Sequence, residues 1–538
     1  MNEVWQAAGV VGALPPDFLT SAEANEALKA VRVKCAVASD PSAFRRPLPT
    51  ELGSERLMDL GQRLAPWTAR YDADATTALQ TVNPRTALNL AYFGAAVSRL
   101  RGRPAPHEVT MRRWIWIVAA AGGGHGTPGS GLHPFIQAAQ DWRNLSLIRS
   151  FLSPTDVWGV EDLTAMDQGL LLGARSHVAW GAAQVAAYIA DLSDGTVPSQ
   201  SLRALLSSVH RVASEPGWMQ GNPAPMPDSA RTVAERMSVD AGAYASAEFS
   251  ALNAARTAAL KPFVQFDEAL LPANLEGATV DIHVPVLDLA RSARTSNESA
   301  ALMEHVCARV LEQCPGLTTR VGDVYLHSTA TEETAEVDVF ASDRASRHFL
   351  DAEVKAHYED RDIPTTPKLY KAGFRGSLSQ LAERRRVFLG GAYATVRGER
   401  QALSPRASFV GLAVLLHDYS GLIWRPQVLG EQRDANLLTM ADLAVITSTL
   451  RDDDEFFEYL EYRELLFGRG SGFAHDEVDV LCHFLESDST ALRRHLREMP
   501  ERTAYMVPAR EMPSSLTTHM HPPPREEFRR QLLTLPRV

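Results

Sequence analysis

The stretch from Thr319 to Ala356 constrains the fold most. Three strand-like runs, Thr319 to Leu326, Ala335 to Phe340 and His348 to Ala356, are separated by polar turn residues. They follow a helical run from Asn297 to Gln313 that ends at Cys314-Pro315-Gly316. On the third run stands Glu353-Val354-Lys355, fifteen residues after Asp338 on the second. Alternation along a strand puts Glu353 and Lys355 on one side and Val354 on the other. With Asp338 on a neighbouring strand, two carboxylates converge where a hard cation such as magnesium can be held, with a lysine beside them. Taken alone, the tripeptide also suits a solvated amphipathic strand on which the acid and base pair with each other.

At 538 residues the chain is long enough for about three folding units. Its 45% hydrophobic and 22% charged residues are those of an ordinary globular protein. A net charge of -11 excludes a surface that binds nucleic acid everywhere, so any phosphate contact is local. Four cysteines without a CxxC spacing argue against a disulfide framework or zinc ribbon and suit a reducing cytoplasm. Glu3 and Pro15-Pro16 do not make a signal peptide. The apolar stretch Trp114 to Gly124 is too short to span a bilayer, so no membrane domain is expected.

The first ~215 residues read as a helical domain by apolar spacing. Thr20 with Glu23 forms a capping-box pattern, Leu90, Phe93, Val97 and Leu100 share a helix face, and the alanine- and glycine-rich stretch Thr164 to Leu192 predicts tightly packed helices. Gly122-Gly123-Gly124-His125-Gly126 lacks the strand and the Gly-Lys-Ser/Thr of a phosphate loop and predicts a flexible turn. Without a Walker motif, any nucleotide hydrolysis the system needs would come from a separate ATPase or sensor protein.

Prolines 216, 223, 225 and 227 mark a linker. A connector helix to about Lys261 follows, and the alternation of Val280, Ile282, Val284 and Val286 predicts a strand leading into the sheet of the 296–430 unit. Ala407 to Leu416 and Gly421 to Trp424 predict further strands, and residues 431–538 a helical segment with a proline-rich tail. Within it His475, Asp479, Cys482 and His483 share one side of a turn, but no HExxH order supports zinc.

The order helix with Glu304, then Glu336-Val337-Asp338, then Glu353-Val354-Lys355 resembles the PD-(D/E)xK, restriction-endonuclease-like superfamily, nearest its nuclease-related and Mrr-like branch. The resemblance covers roughly 90 residues, with Gln380 in the place of a glutamine found one helix later in that family. Val337 stands where the family name has proline. The resemblance implies an α/β core with a mixed sheet, Mg2+ or Mn2+ held by Asp338 and Glu353 and supported by Glu304, and Lys355 acting on the attacking water. Glu298 is a second helix glutamate; Glu304 has the better phase against Cys307, Ala308 and Leu311. The protonation state of Lys355 stays open, because desolvation lowers and neighbouring carboxylates raise its pKa.

The implied activity is hydrolysis of DNA phosphodiesters, with a role in defence against phage or other foreign DNA. A repair or recombination nuclease, or a non-catalytic sensor or adaptor that binds nucleic acid, are the alternatives. Lys368, Lys371, Arg375, Arg384, Arg385 and Arg386, against the single acid Glu383, mark the expected DNA contact. Double-strand cutting favours a homodimer.

Overall fold

The structure is a computed structural model that describes residues 54–87, 106–151, 178–214, 226–356 (except 255, 256, 268 and 330–332), 373, 376–416 (except 405) and 435–537 (except 469–471, 475, 488, 499–504 and 511–518). It is a mixed α/β protein built on more than one core. The patterns at Thr20–Glu23, Leu90–Leu100, Gly421–Trp424 and His475, and the residues Lys368, Lys371 and Arg375, lie outside the described residues. Among the described residues no helix is long and apolar enough to cross a membrane.

The first core joins α1 (Ser54–Thr81), α2 (Pro106–Ala121) and α3 (Leu132–Phe151). The apolar stretch that opens at Trp114 is buried through Ala121 because α2 is enclosed by its neighbours, with Trp114, Phe135 and Phe249 meeting edge to face. The glycine run that follows is a close contact rather than a loose turn. Gly122, Gly123 and Gly124 give their amides to Val118, Leu79 and Val82 carbonyls. A Cβ at Gly124 would lie 2.1 Å from the Thr81 carbonyl oxygen. With those donors spent on the backbone, the run does not offer the open amides that a phosphate cradle needs.

A second core runs from Val178 to Leu535 and crosses the expected boundary at residue 215. Helices α4 (Ala179–Asp191) and α5 (Ser199–Ser214) supply apolar faces to it, so they belong with the sheet and not with a separate helical domain. The expected connector is instead α6 (Asp228–Arg236), a strand β1 (Ser238–Asp240) and two short helical turns, after which β2 (Phe263–Phe266) and β3 (Ala269–Pro272) complete a small sheet with β1. The strand expected at Val280–Val286 is a helix, α7 (His283–Arg291). Every residue from His283 to Leu287 is buried, and a run enclosed on all sides carries no readable period, while Pro285 suits a first helical turn.

Helix α8 (Ser296–Leu311) packs on a five-stranded mixed sheet of order β12-β11-β8-β7-β4. Its strands are β4 (Thr318–Val321), β7 (Val339–Ser342), β8 (His348–Lys355), β11 (Ser408–Leu415) and β12 (Ala435–Thr439). A second, antiparallel sheet has the order β10-β9-β5-β6, from β5 (Val324–Ser328), β6 (Thr334–Glu336), β9 (Ala392–Val396) and β10 (Glu399–Ala402). Two of the predicted strands are thus each split between sheets. Thr319–Leu326 breaks at Gly322 and Asp323, both with positive φ, and Ala335–Phe340 breaks at Val337-Asp338. Helix α9 (Gly376–Leu389) touches both sheets.

The segment after residue 430 is not purely helical, because β12 pairs in parallel with β11 and extends the main sheet. Then come α10 (Met440–Thr449), α11 (Asp453–Gly468), α12 (Glu477–Glu486), α13 (Ser489–Glu498) and α14 (Arg525–Leu533). Arg463 of α11 is buried, binds both carboxylate oxygens of Glu477 at 2.6 and 2.7 Å, and reaches Asn436 and Leu437 of β12. The tail docks as well: the His519 ring lies 4.9 Å from His210, and Met520 is buried.

Candidate metal centre and its surroundings

The site is assembled from the start of β7, the end of β8, and helices α8 and α9. The N-terminus of α8 is closed by a capping box in which Thr295 accepts from the Glu298 amide and the Glu298 side chain accepts from the Thr295 amide. That contact commits Glu298 to the cap. Glu304, two turns later, is half-buried and makes no hydrogen bond or ion pair among the described residues.

Strands β7 and β8 are antiparallel with Val339 opposite Ala352, so one residue further Asp338 comes opposite Glu353. Asp338 is fixed there because its Oδ2 accepts the Val354 amide hydrogen at 2.9 Å. Its Oδ1 has no hydrogen-bond donor among the described residues. The alternation of β8 sends Asp351, Glu353 and Lys355 to one side. Glu353 is 1% exposed, and its Oε1 accepts from the Lys355 ammonium while its Oε2 accepts from Arg384 Nη2 at 2.6 Å. Arg384 also donates from Nε to Asp351 Oδ2 at 2.6 Å.

Carboxylates outnumber cations here, and their titration reflects it. Burial, then Asp338, Glu336 and Glu353, push the Glu304 carboxyl up to about 7 against the pull of Lys355. Burial and the Glu353 charge raise Asp338, opposed by the Val354 amide, Arg384 and Lys355. Burial pushes Asp351 up, to about 7, and Arg384 pulls it back. Arg384 sits above its ordinary value: burial disfavours its charge, but Asp351 and Glu353 outweigh that. The Arg384 guanidinium, which keeps its proton, thus bridges Asp351 and Glu353. Glu304 forms no ion pair among the described residues and feels Lys355 only at a distance.

Of the expected site residues, Asp338, Glu353, Lys355 and Glu304 thus face one another. The oxygens of Glu304, Asp338 and Glu353 do not all come within 4.8 Å of one another. Among the described residues, the acid and histidine trio that does is Asp343, His348 and Asp454, where Arg347 already binds both aspartates. Gln380 is exposed on α9 and makes no hydrogen bond among the described residues. Arg384, expected on the DNA face, is instead 4% exposed and spent on Asp351 and Glu353, because it follows Ser377 and Leu381 on the buried stripe of α9 that faces the sheet. Arg385 is half-buried, and Arg386 is exposed and pairs with Glu333 at 3.2 Å.

Asp351 and the inward role of Arg384 were missed by sequence reasoning. The signal was present as acids two residues apart on a strand, Asp351 and Glu353, followed by a helix with an arginine at a buried phase. The residues Asp479, Cys482 and His483 are occupied structurally: Asp479 caps the Arg510 amide, Cys482 meets the Leu532 carbonyl, and His483 bonds Tyr462.

Asp338 and Glu353 carry oxygen donors of the kind a hard divalent cation takes, with both Glu353 oxygens also engaged by Lys355 and Arg384. Asp338 and Glu353 meet at the junction of two strands, one oxygen of Asp338 has no donor among the described residues, and a cation there would oppose the neighbouring carboxylates that, after burial, lift Glu304. Comparison with known proteins adds no family: no family model, no curated protein and no solved structure matches the chain.

Proposed function

We propose that the chain is a metal-dependent endonuclease that hydrolyses DNA phosphodiester bonds, on a core of the restriction-endonuclease type formed by α8, β7, β8, α9 and β11. The observation that carries this reading is the opposition of Asp338 and Glu353 across antiparallel strands, with Lys355 on Glu353 and Glu304 facing them. Asp338 and Glu353 would hold Mg2+ or Mn2+, which when bound polarises a phosphate and lowers the pKa of a coordinated water. The Val354 amide holds Asp338 in its rotamer, and Arg384 holds Glu353 from behind. Lys355 stands at the mouth of the site, 21% exposed, where it would orient a water or offset charge that develops on phosphate. Glu304 holds or releases a proton near neutrality. We infer defence against foreign DNA as the biological setting from the resemblance to restriction-type nucleases.

Supercoiled plasmid incubated with the protein and Mg2+, Mn2+ or a chelator tests the reading. Nicking that needs the metal and falls about 100-fold or more in Lys355→Ala and Asp338→Asn is expected. Equal cleavage by wild type and both variants, or none by folded wild type with either metal, rejects it.

A further inference from the structure

Beside α8 an open cleft of about 830 Å³ is walled by α8, β4 and the β9–β10 hairpin. It carries His305, Arg309, Arg320, Arg397 and Arg400 against Glu312 and Glu399. All four arginines are exposed, and none forms an ion pair with a carboxylate among the described residues. That is a local cationic excess in a chain of net charge -11. Two of the four are held in place. The Arg400 guanidinium lies 3.8 Å over the Tyr393 ring, which itself stacks on His327 at 4.8 Å. Arg397 occupies the tip of the hairpin at φ 51°, in the left-handed region that arginine rarely adopts. Ala308, on the cleft wall, is one helical turn from Glu304 on α8.

We propose that this cleft, and not the 368–386 segment alone, receives the phosphate backbone of the nucleic acid and leads it to the site, an inference that rests on the nuclease reading for its direction. Its arginines come from three separate elements along an open trough, which suits a chain of phosphates more than one compact anion. Guanidiniums without a carboxylate partner supply the phosphate contacts.

The test is binding of labelled duplex and single-stranded DNA to the full chain with a chelator present, so that no cleavage intervenes. Compared are wild type, the combination Arg309→Gln, Arg320→Gln, Arg397→Asn and Arg400→Gln, and Arg494→Gln, an exposed arginine outside the cleft. Asparagine at 397 tolerates the positive φ. The expected result is that the combination weakens binding about tenfold or more and flattens the slope of log affinity against log salt by about 0.9 per duplex phosphate contact removed, while Arg494→Gln changes neither. Unfolding curves verify that the variant is folded; if it is not, the pairs Arg309→Gln with Arg320→Gln and Arg397→Asn with Arg400→Gln replace it. Binding by the combination equal to that of Arg494→Gln, no DNA binding by wild type, or competition only by inorganic phosphate overturns the cleft. Cleavage by wild type with unchanged binding of the combination rejects the cleft and leaves the nuclease standing. Arginine-dependent binding without cleavage does the reverse.

Discussion

Arg384 and Glu353 form a buried ion pair, Nη2 to Oε2 at 2.6 Å, in which the arginine is 4% and the glutamate 1% exposed. The same guanidinium holds Asp351, so one cation from α9 ties two acids of β8. Removing one partner of a buried pair costs about 3–5 kcal/mol because the other charge is left alone in the interior. Arg384→Ala is therefore expected to lower unfolding stability by that amount at pH 7 in urea titrations. Arg384→Lys keeps the charge but loses the planar fork and should fall between the two. A loss under about 1 kcal/mol in Arg384→Ala would show that water or another cation replaces it.

Glu304 gives a prediction in pH. Its folded pKa of about 7 lies above the ordinary value of 4.5, so between those values the folded chain holds a proton that the unfolded chain has released. This contribution makes stability fall as pH rises through that window and leaves it low above pH 7. Glu304→Gln removes it. The variant should match wild type in thermal midpoint near pH 4.5 and exceed it at pH 8 in chelator. A divalent cation offsets the same repulsion, so Mn2+ should raise the wild-type midpoint more at pH 8 than at pH 6. A variant-minus-wild-type difference that is flat in pH rules out the charge excess.

Gly124 tests the close approach of α2 to the end of α1. A methyl group there meets the Thr81 carbonyl at 2.1 Å, backbone that cannot swing aside. Gly124→Ala is expected to destabilise by about 1–3 kcal/mol, as overpacking does, read by denaturant unfolding. A neutral effect would mean that the helices separate freely.

Reading the chain alone captured the side-chain placement on β8 because strand alternation needs only local sequence: Glu353 and Lys355 share a side whatever packs above them. The capping box of α8 and the acid-rich start of α12 are legible for the same reason, since caps act within one turn. Enclosed elements were not legible. At His283–Leu287 burial on every side erased the period that separates helix from strand, and β12 gave no sign that it belongs to the sheet.

Sequence by itself determined which acids and bases stand on which element, and the order helix, strand, strand that brings them near. Only the tertiary structure decided that Asp338 faces Glu353, since pairing register depends on both strands. It also turned Arg384 inward, away from the surface where its basic neighbours suggested DNA contact, and gathered Arg309, Arg320, Arg397 and Arg400 into one cleft. Charges far apart in the chain combine only through distance in space, and no local pattern carries that distance.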